Sequence, residues 1–416
     1  MERAPRRGAR FLFVLPTWGT LDSMFTVALS LVVGFAPLDL SDESVARGND
    51  RTLSVQLGAE GGAVPWMSAA AFHGIVRLRY VEDALIPGRG LVDVDLNTDT
   101  LSLAYAHPDL FGPWTYVRAY TRLQAFAANL LTDHVRAGVI DDRRGFGSAY
   151  ALVGAMVAVS PVHDARSFVS LRASVEARQW AHFPWMGTSD DLVLPPSSQS
   201  VEPAFAFFAQ SGRRATRMLR LDGFESMGEG RVYLQNGRAP WGALAGASDG
   251  RNDATEPFAF RVEGGARTGS VSSSIVGLRA VSLLAVRAGT GAFLDDRTRF
   301  MVGGENPYVV PMAGAAWAEF LADRYALLEA RQGVMFFERV VVDVGAHAAV
   351  VNDVKRTGAL DAHGALGGVF VEGEARVTDD VLVRGRYAYA VIAPRRDPEF
   401  GKLFLLVEWR PLPWSW

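Results

Sequence analysis

This 416-residue chain contains no cysteine, so neither a disulfide nor a thiolate-bound metal can hold it together. It also lacks any run of about 18 uncharged apolar residues, which excludes a helical membrane protein. That absence is informative because 49% of the residues are hydrophobic. Charge of one sign is missing too: 42 Lys and Arg face 45 Asp and Glu, giving a net charge of −3 and no basic footprint for nucleic acid. Catalytic signatures are equally scarce. The histidines (His73, His107, His134, His163, His182, His347 and His363) are scattered, with no HExxH pair or other metal spacing. No G-x-S-x-G elbow or P-loop occurs. A phospholipase carried on a barrel would need Ser and His together on its outer wall, and a sequence alone does not show such a pair. We therefore expect no enzyme, no cofactor and no metal.

What the chain has is alternation. From Val369 to Val377 the odd positions are apolar or small, while Glu372, Glu374 and Arg376 share the other face. After Thr378-Asp379-Asp380 the rule resumes, with Val381, Val383, Gly385, Tyr387, Tyr389 and Val391 opposite Arg384 and Arg386. Strand side chains point to opposite faces with period two, so this is a hairpin with one greasy and one charged face. The pattern recurs at Leu53–Ala59, Val76–Tyr80, Val92–Leu96, Val117–Leu123, Val169–Ala177, Val340–Ala346 and Leu403–Trp409. Turn-rich spacers such as Ser41–Asp50, Gly187–Glu202 and Ser248–Glu256 separate the segments. There is no amphipathic helix and no domain linker.

The charges on the polar face need water, and the apolar face needs a cover. A soluble β-sandwich would require a second sheet over that face, whereas lipid covers it in a barrel and a wet lumen takes the charges. The expectation is thus all-β: a transmembrane antiparallel β-barrel of about 16 strands, at about 26 residues per strand and turn. Trp114, Tyr80, Tyr389 and Trp409 near segment ends suit interfacial girdles, and Pro411 and Pro413 predict a last strand ending by Arg410.

At the N-terminus, Arg3, Arg6, Arg7 and Arg10 precede an apolar stretch, and Met24–Phe35 has the length of a signal-peptide core. Asp22 divides the two, and no small-residue cleavage site follows Phe35. The second run also alternates, with Phe25, Val27, Leu29, Leu31, Val33 and Phe35 as its large members. This predicts an N-terminal segment over 1–24 and a barrel over 25–416, opened by a first strand Phe25–Phe35.

From Gly303-Gly304 through Met312-Ala313-Gly314, Glu329-Ala330-Arg331 and Asp343-Val344-Gly345, the chain resembles the outer-membrane assembly and secretion barrels. That superfamily includes BamA-type insertases, TamA-type factors, two-partner-secretion transporters and bacterial surface antigens. His107-Pro108-Asp109-Leu110-Phe111-Gly112 is similar to the family's turn into an early strand, and Trp414-Ser415-Trp416 resembles its aromatic C-terminus. The resemblance implies a loop folded back into the lumen, with Met312, Ala313 and Gly314 at its tip. Asp343, Gly345, Glu329, Arg331 and His347 on the wall would anchor it through charge-assisted hydrogen bonds, with Gly345 admitting the loop backbone.

The tip departs from the family, in which an Arg-Gly-aromatic sequence pairs its Arg with the strand Asp. Ala313 stands in place of that Arg. Either Arg299 or Arg324 replaces it, or the loop packs through Tyr308, Met312 and Trp317. The sequence before Phe25 is also too short for a POTRA domain, implying a barrel-only member.

Two functional readings follow. One is a protein of the Gram-negative outer membrane that assists assembly or transport of proteins or lipids at a labile seam between first and last strands. Its partners would be outer-membrane lipids, client membrane proteins or periplasmic factors, and it would be a monomer. The alternative is a passive channel or structural barrel, with a soluble all-β binding protein as a further reading.

Overall fold

The computed structural model describes residues from Arg51 to Trp409. It leaves out 63–72, 127–134, 141–145, 242–255, 305–309, 316–319, 354–362, 393–400 and short pieces of other connections. Residues 1–50 and 410–416 also lie outside the described residues, and with them the N-terminal segment 1–24, strand Phe25–Phe35 and Trp414–Trp416.

The strands are β1 Arg51–Gly62, β2 His73–Ile86, β3 Gly90–Asn97, β4 Thr100–Pro108, β5 Thr115–Phe126, β6 Phe146–His163, β7 Ser167–Pro184 and β8 Ser198–Ala215. They continue as β9 Arg220–Gln235, β10 Phe258–Val271, β11 Leu278–Ala292, β12 Phe320–Phe336, β13 Val340–Asp353, β14 His363–Arg376, β15 Val381–Ile392 and β16 Gly401–Trp409. Each pairs antiparallel with the next, and β16 pairs with β1 to close a 16-strand barrel. Closure satisfies the backbone without leaving an edge, the condition for crossing lipid with strands. A seventeenth strand in the sheet, the short Phe300–Val302, pairs with the start of β12.

This closure corrects the expected seam. Arg51–Gly62 takes the position beside β16, from Val55 opposite Trp409 to Gly62 opposite Lys402, that we assigned to Phe25–Phe35. Period two says which way a side chain points but not which strand comes first.

The faces divide as the alternation requires. Along β7, Phe168, Ser170, Arg172, Glu176 and Trp180 are buried, while Leu171, Ala173, Val175 and Ala177 are exposed. Among the described residues the exposed face is mostly apolar, and the enclosed face carries most of the charges. Tyr80 and Trp409 lie exposed toward the end bearing the strand termini, and Tyr389 toward the other. Connections at the terminus-bearing end are short, such as 164–166, 337–339 and 377–380. Those at the opposite end include the long 127–145, 236–257 and 293–319. Outer-membrane barrels show this asymmetry, with short periplasmic turns and long outer loops.

Candidate functional site

The inward faces of β12 to β15 bring the expected wall residues together. The antiparallel register sets Glu329 opposite His347, and Arg331 opposite Gly345. The next pairing sets Gly345 opposite Phe370, and Asp343 opposite Glu372. Glu372 is the hub. Its carboxylate accepts from Arg386 Nε at 2.6 Å, Arg384 Nη2 at 2.8 Å and Arg331 Nη1 at 3.3 Å. Arg331 also pairs with Glu329, and the guanidiniums of Arg386 and Arg331 lie 4.3 and 5.1 Å from the Phe370 ring centre. A fully buried carboxylate ringed by three cations satisfies its lone pairs, which offsets the cost of taking it out of water.

The tip residues meet this wall. The amide of Ala313 donates to Nδ1 of His347 at 2.9 Å, and Ala313 packs against Phe370 and Ala388. An imidazole accepting at Nδ1 carries its proton on Nε2, which faces Glu329 Oε2 at 3.6 Å. Gly368 lies against the Ala313 carbonyl, and Gly314, at φ +75°, lies against the backbone of Tyr389 and Ala390. A Cβ at either glycine would collide with main chain. The space at Gly345, expected to admit the loop, holds the Phe370 ring instead. Asp343 is buried on the same face as His347. Of the two arginines considered as substitutes, Arg299 bonds Asp323 at 2.9 Å, and Arg324 lies on the exposed face of β12.

The other end of the same connection touches a different part of the wall. Phe300 meets Tyr325 edge-on at 5.0 Å, and the Arg261 guanidinium sits 4.8 Å from its ring centre. Arg261 Nη1 donates to the Thr298 carbonyl at 3.3 Å. Met301 packs against Tyr150, Leu152 and Trp180, which belong to β6 and β7. Leu294, Val302, Val310, Met312 and Ala315 join Leu327, Ala349, Val351 and Leu366 in one buried apolar cluster. The described residues of connection 293–319 thus touch inward-facing side chains from β6 round to β15.

No protein-family model matches the sequence, and no curated protein does. Solved structures do match in shape. CdiB from Acinetobacter baumannii superimposes with a TM-score of 0.57 and 8% identity, over 88% of this chain and 60% of that one. BamA from Haemophilus ducreyi, in a crystal structure lacking POTRA domains 1–3, gives 0.57 and 9%, over 88% and 71%. CdiB from Escherichia coli gives 0.57 and 11%, over 86% and 63%. This is the barrel fold of BamA and CdiB. At such identities the likeness is one of fold, and the chain spans only about 60–70% of the lengths of these solved chains.

Sequence reasoning overlooked Phe370 and Gly368 as site residues. The Gly367-Gly368 doublet inside the strand was the available signal, since glycine there marks close backbone approach. A Ser–His pair also exists, with Ser148 Oγ 2.8 Å from His182 Nδ1. It lies on the enclosed face among Phe146 and Trp180, turned away from lipid.

Proposed function

We propose that this protein resides in the outer membrane of a Gram-negative cell as a monomeric barrel, and assists insertion or passage of proteins or lipids there. The working part is the β1–β16 seam, with connection 293–319 folded into the lumen as a plug. The observation that carries this reading is the height of the wall. β16, β3 and β4 run for 9, 8 and 9 residues, with β1 and β2 between them at 12 and 14, whereas β6, β7 and β8 run for 18 each. A membrane-crossing strand needs about 9–11 residues, so β16 and β4 sit at its lower limit and β3 falls just short of it. A short hydrophobic span is matched by local thinning of the bilayer, which lowers the barrier to a strand or lipid entering beside it.

The tip contacts at His347, Gly368 and Ala390 support the plug, with an imidazole taking the place of the missing Arg–Asp pair. Client membrane proteins and periplasmic factors are the partners this reading implies. Photo-crosslinkers at Leu57 and Leu405, both exposed on the lipid-facing side of the seam, test it in cells. Adducts with newly made outer-membrane proteins are expected there and not at Val175 on the tall wall. An adduct pattern identical at all three positions, or none where a known insertase yields them, overturns the insertase reading and leaves the passive channel.

A further inference from the structure

Two neighbouring turns at the terminus-bearing end break the usual rule for tight hairpins. In Ile275-Val276-Gly277-Leu278, Ile275 and Leu278 exchange both backbone hydrogen bonds at 2.9 Å, and Val276 and Gly277 have φ of +51° and +78°. In Phe336-Phe337-Glu338-Arg339, Phe337 and Glu338 have φ of +49° and +58°, closed by Arg339 N donating to Phe336 O at 2.9 Å. Two-residue turns with both central residues left-handed favour Asn-Gly or Asp-Gly. A β-branched Val in that region is an outlier. Yet Val276 is 88% exposed, Ile275 73% and Phe337 70%.

These side chains therefore combine an unfavourable backbone with apolar exposure, in a position where a polar residue would serve the turn better. The two turns are also tied together. Phe337 N donates to Gly277 O at 2.7 Å, the Phe337 ring fills the space over Gly277, and Arg279 pairs with Glu338 at 2.6 Å. The patch runs without a break into the lipid-facing wall through Leu278, Phe336 and Val340, all exposed. The ion pair beside it suits the polar headgroup level. Exposed apolar patches rimmed by charge mark membrane or protein contacts, and continuity with the lipid-facing face decides for the membrane.

We propose that Ile275, Val276 and Phe337 form an apolar wedge seated in the acyl–headgroup boundary of the periplasmic leaflet, anchoring the β10–β13 side of the barrel. The proposal rests on the barrel spanning a bilayer. Because the chain has no cysteine, any introduced thiol is unique. Val276→Cys, Phe337→Cys, Thr378→Cys in another exposed turn of the same end, and Val344→Cys on the lipid-facing wall would each carry an environment-sensitive fluorophore. They would be refolded into phosphatidylcholine vesicles with a nitroxide near the top of the acyl chain, and folding checked by heat-modifiable migration. Loss of most emission at 276 or 337 and at 344, but not at 378, is the expected result. Quenching at 344 with none at either wedge position overturns the wedge alone and leaves the patch to a periplasmic protein. Equal quenching at 276, 337 and 378 also removes the wedge, since any turn of that end would then touch lipid. No quenching at 344 overturns the membrane-spanning barrel as well.

Discussion

The wall from β6 to β9 and the β1–β16 seam obey the same alternation, yet they are held together differently. On the tall side, inward charges cross-link strands that are not neighbours. Glu176 of β7 accepts from Tyr120 of β5 and Arg231 of β9, each at 2.7 Å. Glu202 of β8 lies 3.1 Å from both Arg178 of β7 and Arg231 of β9, and also accepts from Ser200 at 2.7 Å. At the seam, Glu408 of β16 accepts from Gln56 at 2.9 Å and Ser54 at 3.2 Å, both on β1. A multi-strand network resists the parting of any one pair, whereas a clasp on one carboxylate resists much less. The tall side is thus braced across three and more strands, which makes it the rigid reference against which the proposed seam can be tested.

The largest expected effect comes from breaking the rigid side. Glu202→Ala leaves Arg178 and Arg231 to share Glu176, so the cost lies at the lower end of the about 3–5 kcal/mol for removing one partner of a buried ion pair. The urea midpoint of barrel unfolding should fall accordingly. An unchanged midpoint would mean that the network is decorative and the two sides are equally secure.

Next in size is the loop contact on β13. His347→Ala removes the acceptor of the Ala313 amide, and a buried donor left without its partner costs about 1–3 kcal/mol. Conductance in planar bilayers should rise as the tip loosens, while His347→Gln, which keeps an acceptor, restores the quieter state. Equal conductance in both variants would show that Ala313 is held by Phe370 and Gly368 instead.

The same contrast explains what the sequence could disclose. Alternation over Val369–Val391 assigns faces because a strand has only two, and the inward Glu372 and Arg386 end up opposite each other as that pattern implies. It cannot assign partners across an open lumen. Nothing in Met301 says that it will meet Trp180, because the distance between them is set by closure of the wall rather than by any local period. The closing strand was hidden for a related reason. Leu53–Ala59 reads as a strand, but Phe25–Phe35 alternates as cleanly, and only pairing to β16 distinguishes a closing strand from any other. Gly345 illustrates the limit within the site. Its lack of a side chain signals a close approach, and whether a loop or the Phe370 ring uses the space depends on the neighbouring strand.

The smallest expected effect is the sharpest test of the comparison. Gln56→Ala removes one donor from the Glu408 clasp and leaves Ser54 and the backbone ladder in place, so the cost is about 1 kcal/mol. Global unfolding loses the same amount, a small share of its total free energy. Local opening of the seam should register it fully: about 1 kcal/mol corresponds to roughly a fivefold change in an opening equilibrium. Amide hydrogen exchange resolves the two, since opening free energies differ from one cooperative unit to another. Amides of β1 and β16 should exchange about fivefold faster, with those of β6 to β8 that exchange through local opening unchanged. Gln210→Ala, a deletion of the same size on the inward face of β8, should leave exchange at the seam untouched. If both variants accelerate exchange around the whole barrel, the molecule opens as one unit and the seam has no independence to exploit.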